Sequence, residues 1–529
     1  MSPSEPKRVA IVGGGLTGIA SFWALRNSSH DVHLFEASSV LGGHMKTLPF
    51  ESNGNQVEVD LELPSFNPKA CPNLVSLLNY LGIATTAVPF SFGASDGTQS
   101  FKWYSSILKS VLLCPQMLWN KQACRLLLDA ICFRHLAVTV LTDESRGSEP
   151  PKVEDLTETY LSDEGYSNSF RDKYLAPLLS MLWRTNAGRF LARFPVKALA
   201  RCLSDHDLLC TDGMKPKWWR IDLGVGHFIK TMVKDLPHEK IYLQTRVNEI
   251  TRHSKSNYGL VTCDGQESLF DHVILTVDGN EIIRILGSTA TTGEKEIIQC
   301  LGVTRNIVIL HSDHSVGDHC LSFRTSWLNM EPGGILDCNY IIASQEQPRR
   351  DFFSPKSCAR YNLNTLQNIP TSLFGQVLIT FNPLAPPHPS LVQGVWEFTE
   401  PEPTAESLYA QALLPSIQNK RGLSYSFWWT GRGILEDAIT SGFRIAIEDL
   451  GAEVPFAVDF HPQPLDSTEF FARQVGLQEN LTRTVLQAFR VLVIVLEITL
   501  LLLTRLYTPG LKIRARRTVF RALKSSAIS

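Results

Sequence analysis

Val9-Ala10-Ile11-Val12-Gly13-Gly14-Gly15-Leu16-Thr17-Gly18 is the stretch whose reading decides the fold. The apolar run Val9 to Val12 reads as a buried parallel strand, and Ile19 to Leu25 continues as a helix. Between them, Gly13, Gly15 and Gly18 fall in G-x-G-x-x-G spacing. Each glycine has a physical task. Gly13 permits the tight turn, Gly15 lets a pyrophosphate approach the backbone, and Gly18 lets the helix pack closely on the strand. Leu16 and Thr17 then open the helix, whose free N–H groups and positive dipole end face the phosphates. A glycine turn alone is common, but the next strand, Asp31 to Glu36, ends in an acid about twenty residues after the loop. Glu36 is placed to accept from a ribose hydroxyl. The reading is a dinucleotide site.

After Glu36 and Ala37 a second glycine pair, Gly42-Gly43, precedes His44. Bare N–H groups and absent side chains suit a pyrophosphate or a flavin edge, and the plain alternative is a loop needing flexible residues. The order of these blocks resembles the FAD-dependent amine-oxidase and phytoene-desaturase superfamily. Further blocks resemble the amine-oxidase-like predicted NAD/FAD-binding proteins in particular: Cys71 to Ile83, Tyr174 to Trp183, Phe194-Pro195 with Asp205 to Leu209, and Gly431-Arg432-Gly433-Ile434-Leu435-Glu436-Asp437-Ala438 leading into Ser441-Gly442. The resemblance spans roughly Arg8 to Leu450 and implies FAD, expected to be held noncovalently because no cysteine sits in a recognisable covalent-flavin motif. It also implies that Val247 lies beside the adenine and that Gly431, Glu436, Gly442 and Phe443 belong to the flavin end. For Gly442 the alternative is a helix-packing contact, and for Val247 a plain core position. Two departures stand out. Leu61-Glu62 replaces a small pattern after Asp60, and Gly224-Val225-Gly226 replaces Gly-Gly-Ser.

The implied fold is α/β: a Rossmann-type, amine-oxidase-like FAD-binding domain interleaved with an α+β substrate domain, plus a C-terminal hydrophobic helix. The expected division is 1–100 and 236–300 for FAD binding, 101–235 for a mostly helical cap, and 301–420 for a substrate-domain sheet. A C-terminal FAD-binding segment follows over 421–455, then a linker over 456–484 and a hydrophobic, basic tail over 485–529. A chain of 529 residues accommodates two or three structural units. Its 44% hydrophobic and 19% charged residues describe a globular protein, and a net charge of −2 gives nucleic acid no footprint. The eleven cysteines include no C-x-x-C pair, which fits reduced thiols and no metal site.

Val485 to Leu503 is apolar but interrupted by Arg490 and Glu497. Beyond it Arg505, Lys512, Arg514, Arg516, Arg517, Arg521 and Lys524 occur without an acid. Met1 to Arg8 has no apolar signal region, so a cytosol-facing catalytic domain is expected. A single span would then carry the basic tail across, against the positive-inside bias. Membrane association through 485–529, as a span, a hairpin or an in-plane anchor, is expected, and the alternative is a helix folded onto the body. The activity that the resemblance implies is hydride removal from a lipophilic small molecule by an oxidase or desaturase. An FAD-dependent isomerase or reductase, or a non-catalytic FAD-binding scaffold, stays open. Asp60, His206, Trp428 and Trp429 are candidates for the flavin face, with no catalytic residue assigned.

Overall fold

The computed structural model describes residues 5–62, 65–89, 92–95, 102–104, 119–142, 155–184, 187–209, 217–254, 257–313, 338–342, 357–383, 385–426, 434–460 and 477–507. Arg8–Val12 is the strand that its apolar run predicts, and it lies at the centre of a parallel sheet. The strand order across that sheet is Ile241–Tyr242, Asp31–Phe35, Arg8–Val12, His272–Leu275, Leu423–Tyr425. A parallel sheet is covered on both faces. On one face lies the helix Leu16–Leu25, all ten of whose residues are buried, packed against the helix Ile434–Arg444. On the other lie an antiparallel three-stranded sheet (Val247–Ser254, Asn257–Thr262, Glu267–Phe270) and the helices Gly279–Leu286 and Thr292–Gln299.

Ile241 to Ile250 alternates like a single strand but is two. Ile241–Tyr242 joins the parallel sheet and Val247–Ser254 begins the antiparallel one. Gln244 turns the chain between them in the left-handed region (φ 53), and its N–H donates to the Ser38 carbonyl at 2.9 Å. That bond ties the turn to the loop after Glu36.

The second large sheet has seven strands in the order Val392–Pro401, Val303–His311, Leu378–Phe381, Ser357–Asn362, Cys338–Ile342, Phe92–Ser95, Lys102–Tyr104. The last two come from the N-terminal third, so this sheet draws on more of the chain than 301–420. Its core is shared with the helix Lys121–Thr142 and with helices between Thr157 and Asp205, joined by Phe133, Phe170, Phe190, Tyr361 and Phe381. Each such ring contributes about 1.5–3 kcal/mol by leaving water.

Two boundaries shift at the C-terminal end. Residues 451–460 include the start of the stretch expected to be a linker, yet Phe456, Val458 and Phe460 pack on the Rossmann core. Phe456 stands 6.1 Å from the Trp23 ring. The terminal helix begins at Leu477 and runs to Tyr507. Among the described residues no helix is long and apolar enough to cross a membrane. Arg490 and Glu497, the residues that interrupt the apolar run, turn toward the body and pair with Glu164 and Arg125.

Candidate functional site

The glycine turn closes as its spacing requires. The Gly13 N–H donates to the Phe35 carbonyl at 2.9 Å, and Gly13 takes φ 112, where a side chain would meet Thr276 Oγ1 at 2.6 Å. A Cβ on Gly18 would stand 1.9 Å from the Gly13 carbonyl oxygen, so only glycine allows the helix this close to the turn. Gly15 is different in kind. It caps the helix without a side-chain bond, and nothing lies within 4 Å of where its Cβ would be. The turn is braced on both sides and open at Gly15, beside the first-turn residues Leu16 and Thr17. That opening suits a diphosphate.

Glu36 stands at the end of its strand with its carboxylate aimed at this turn. Oε2 accepts the Gly14 N–H at 2.6 Å, and Oε1 accepts the Ser38 N–H at 2.7 Å and the Ser38 hydroxyl. The backbone around Ala37 is fixed by bonds from Thr245 N–H to the Glu36 carbonyl and from Gln244 N–H to the Ser38 carbonyl. The second glycine pair lies against the first: Gly42 N–H donates to the Gly14 carbonyl at 2.8 Å, and Gly15 and Gly42 form a parallel bridge. Gly42 and Gly43 both take positive φ (114 and 61), and a Cβ on Gly43 would lie 3.2 Å from the Gly15 Cα. Together these residues form a cradle of bare backbone with an acid at its ribose end. The donor set fits FAD.

Beyond the cradle, His44 stacks on Phe398 with centroids 4.8 Å apart. Burial lowers its pKa, opposed by the charge of nearby Glu62. The departure at Leu61-Glu62 resolves here. Leu61 turns into the core shared by cap and sheet, and Glu62 meets a buried arginine. Arg184 Nη1 donates to Glu62 Oε2 at 2.8 Å and to Glu400 Oε1 at 2.9 Å, with its guanidinium 4.6 Å from the Phe381 ring centroid. Arg184 sits just after the helix Ala176–Trp183 in the left-handed region (φ 50). Burial opposes its charge, but the two carboxylates overcome that and hold it protonated. Glu400 is pushed up to about 7 by burial, against the pull of Arg184. Arg184 and Glu400 carry no motif. Only Glu62's placement where the family has a small residue gave a signal.

Several expected site residues have other work. Asp60 accepts the Val225 N–H at 3.1 Å and the Thr47 hydroxyl at 2.5 Å, and so caps the helix Gly224–Val233. A Cβ on Gly224 would stand 2.8 Å from that carboxylate, which accounts for one glycine of the altered Gly-Gly-Ser block. Glu436 is buried and accepts the N–H groups of Asn73 and Leu74, both at 2.9 Å, capping the helix Pro72–Leu81. Gly442 is a packing position, where a Cβ would meet the Thr17 carbonyl oxygen at 2.6 Å. The Phe443 side chain is fully buried against Trp23 and Phe456. Val247 is buried in the core that also holds Phe35, and its carbonyl accepts from Arg284 Nη2 at 3.3 Å. His206 lies against Trp218 at 5.8 Å, in the cap. Trp428, Trp429 and Gly431 lie outside the described residues.

Comparison with known proteins agrees with this geometry. A family model described as flavin containing amine oxidoreductase matches residues 16–309. Over 51 residues the chain is 45% identical to an L-amino-acid oxidase of Bothrops jararacussu, a match covering 10% of each protein. A putative protoporphyrinogen oxidase from Exiguobacterium sp. 255-15 superposes with a TM-score of 0.54 at 16% identity, over 84% of this chain and 98% of that one. A triple mutant of putrescine oxidase gives 0.56 at 15% identity over 84% and 99%. A fatty acid isomerase from P. acnes gives 0.55 at 14% identity over 85% and 99%. These structures share the fold. With more than half of the chain matched by the family model, the protein belongs to the flavin-containing amine oxidoreductases, and its cofactor is FAD.

Proposed function

We propose that the chain is an FAD-dependent oxidoreductase that withdraws a hydride from a neutral, lipophilic small molecule. The redox part of the reading rests on the glycine cradle with Glu36 at its ribose end, in a chain of a flavin-containing family. The lipophilic part rests on the pairing of Arg184 with Glu62 and Glu400. Of the charged groups that act on His44, Glu62 and Arg184 are committed to one another. A charged substrate needs an uncommitted partner in a buried site, because an unpaired charge costs several kcal/mol there. A neutral, apolar molecule needs none.

Bound FAD supplies the two-electron acceptor, and the chain supplies position and exclusion of water. Gly15 would hold the diphosphate on a turn shaped by Gly13 and Gly18, Glu36 would hold the ribose, and Gly42-Gly43 would leave the cofactor's approach free of side chains. His44, stacked on Phe398, stays neutral as its pKa falls, so it adds no charge to the far end of the cradle.

The test is anaerobic reduction of the purified yellow protein with a panel of neutral lipophilic alcohols, isoprenoids and acyl esters, beside amines, amino acids and polyamines, which carry charge near neutral pH. Bleaching by the lipophilic set, with peroxide on admitting air, supports an oxidase. Bleaching only by the charged set refutes the substrate class. Product isomers formed without net bleaching favour an FAD-dependent isomerase instead.

A further inference from the structure

The terminal helix Leu477–Tyr507 is oriented unlike an ordinary surface helix. At about 100° per residue, Arg483, Arg490 and Glu497 fall on one stripe. That stripe faces the body. Arg490 is buried: Nη2 donates to the Glu164 carbonyl, Nη1 lies 3.6 Å from the Glu164 carboxylate, and the guanidinium stands 3.9 Å over the Tyr166 ring. Glu497 pairs at 3.4 Å with Arg125, which also bonds Asp129 and, at 2.7 Å, the Gly165 carbonyl. The opposite stripe carries Leu481, Val485, Phe489, Leu492 and Leu496, at spacings of three and four, with Val495 beside them. These six side chains are 50–66% exposed. A helix that only finishes a globular domain does the reverse, turning its apolar stripe inward. A continuous apolar face of this kind marks an interaction site.

We infer that the outward face of this helix docks in the plane of an anionic membrane leaflet. The charge pattern selects the occupant. The sequence after Thr504 carries Arg505, Lys512, Arg514, Arg516, Arg517, Arg521 and Lys524 with no acid. Such a segment complements acidic headgroups, and an apolar stripe beside it enters the boundary between headgroup and acyl chain. A second copy of the chain would bring seven more cations to the same place and is opposed by like charge. In-plane docking needs no span. It also removes the conflict in the sequence, since Arg490 and Glu497 never meet lipid and the basic segment stays on the side of the body. This inference is independent of the redox chemistry.

Flotation of the full-length holoprotein tests it, with vesicles of phosphatidylcholine alone or mixed with phosphatidylserine. The expected result is co-flotation with the anionic vesicles, weakened by high salt and abolished by alkaline carbonate. The outward triple variant Val485→Asp, Phe489→Asp, Leu492→Asp should lower the bound fraction by about tenfold or more while leaving thermal melting and flavin content unchanged. A second variant, Arg514→Ser, Arg516→Ser, Arg517→Ser, should weaken binding to the anionic vesicles with the helix intact. Holoprotein that stays in the lipid-free fraction overturns the inference. So does resistance to carbonate, which marks a spanning helix. A dimer that the outward variant dissociates, without vesicle binding, also overturns it in favour of a second copy.

Discussion

Replacing Glu400 by Gln should flatten the pH dependence of stability between pH 5 and pH 8. Arg184 Nη1 lies 2.8 Å from one Glu62 oxygen and 2.9 Å from one Glu400 oxygen, and all three side chains are buried. One guanidinium neutralises one carboxylate, so the second is lifted, by burial first and by Glu62 as well, from 4.5 to about 7. An upward shift means that the folded state binds the proton more tightly than the unfolded chain. The stabilisation is therefore complete below about pH 4.5 and is lost as the pH rises through about 7. At 1.36 kcal/mol per unit, the loss is about 3 kcal/mol as an upper bound. The neutral amide cannot ionise, so Glu400→Gln should match the parent within about 1 kcal/mol at pH 5 and exceed its stability at pH 8 by up to about 3 kcal/mol. With about 2 cal/mol/K of unfolding entropy per residue, that is a rise of about 3 °C in the melting temperature of one cooperative unit of this size. Thermal melts of the holoprotein at the two pH values measure it. Arg184→Met, which strands two buried carboxylates, should by contrast cost about 3–5 kcal/mol, more at pH 8 than at pH 5. If Glu400→Gln keeps the parent's pH slope, or loses stability at pH 8, Glu400 is an ordinary ionised partner and the reasoning fails.

Gly15→Ala and Gly18→Ala should separate binding from folding. The first meets no protein atom within 4 Å and should fold but bind FAD weakly, whereas the second drives a Cβ to 1.9 Å from the Gly13 carbonyl oxygen and should destabilise the domain by about 1–3 kcal/mol or more. Thermal melts with FAD titration distinguish them. Glu436→Gln should cost about 1–3 kcal/mol in denaturant unfolding, because an amide has one acceptor oxygen for the two buried N–H groups of Asn73 and Leu74.

The dinucleotide-binding core was legible because its determinants are local and steric. Gly13, Gly15 and Gly18 act within six residues, and Glu36 is reached by one strand. The same locality misleads at Ile241 to Ile250, which reads as strand but contains a turn braced by a bond from Gln244 to Ser38, far away in sequence. Composition suggests a hydrophobic C-terminal helix over 485–503. The helix found, Leu477–Tyr507, is not apolar enough to cross a membrane, and composition does not say which way it faces. Periodicity shows that Arg490 and Glu497 share a stripe. Whether that stripe meets water, lipid or protein depends on Glu164 and Arg125, which no local pattern supplies.

The cluster beside the cradle shows why the middle of the chain is hard to read. Glu62 comes from the FAD-binding part, Arg184 from the cap and Glu400 from the second sheet, separated in sequence by 122 and 216 residues. Read alone, Glu62 is an acid where a small residue is expected, a bulkier side chain at the catalytic face. Read with its partners, it is one end of a buried ion pair, and Leu61 fills core shared by cap and sheet. Packing and pairing therefore account for both residues. A carboxylate there without Arg184 would be an uncompensated buried charge, so any change at position 62 must be judged together with position 184. Glu62 is one member of a cluster of three, and its partners Arg184 and Glu400 are visible only once the three stretches of chain are folded against each other.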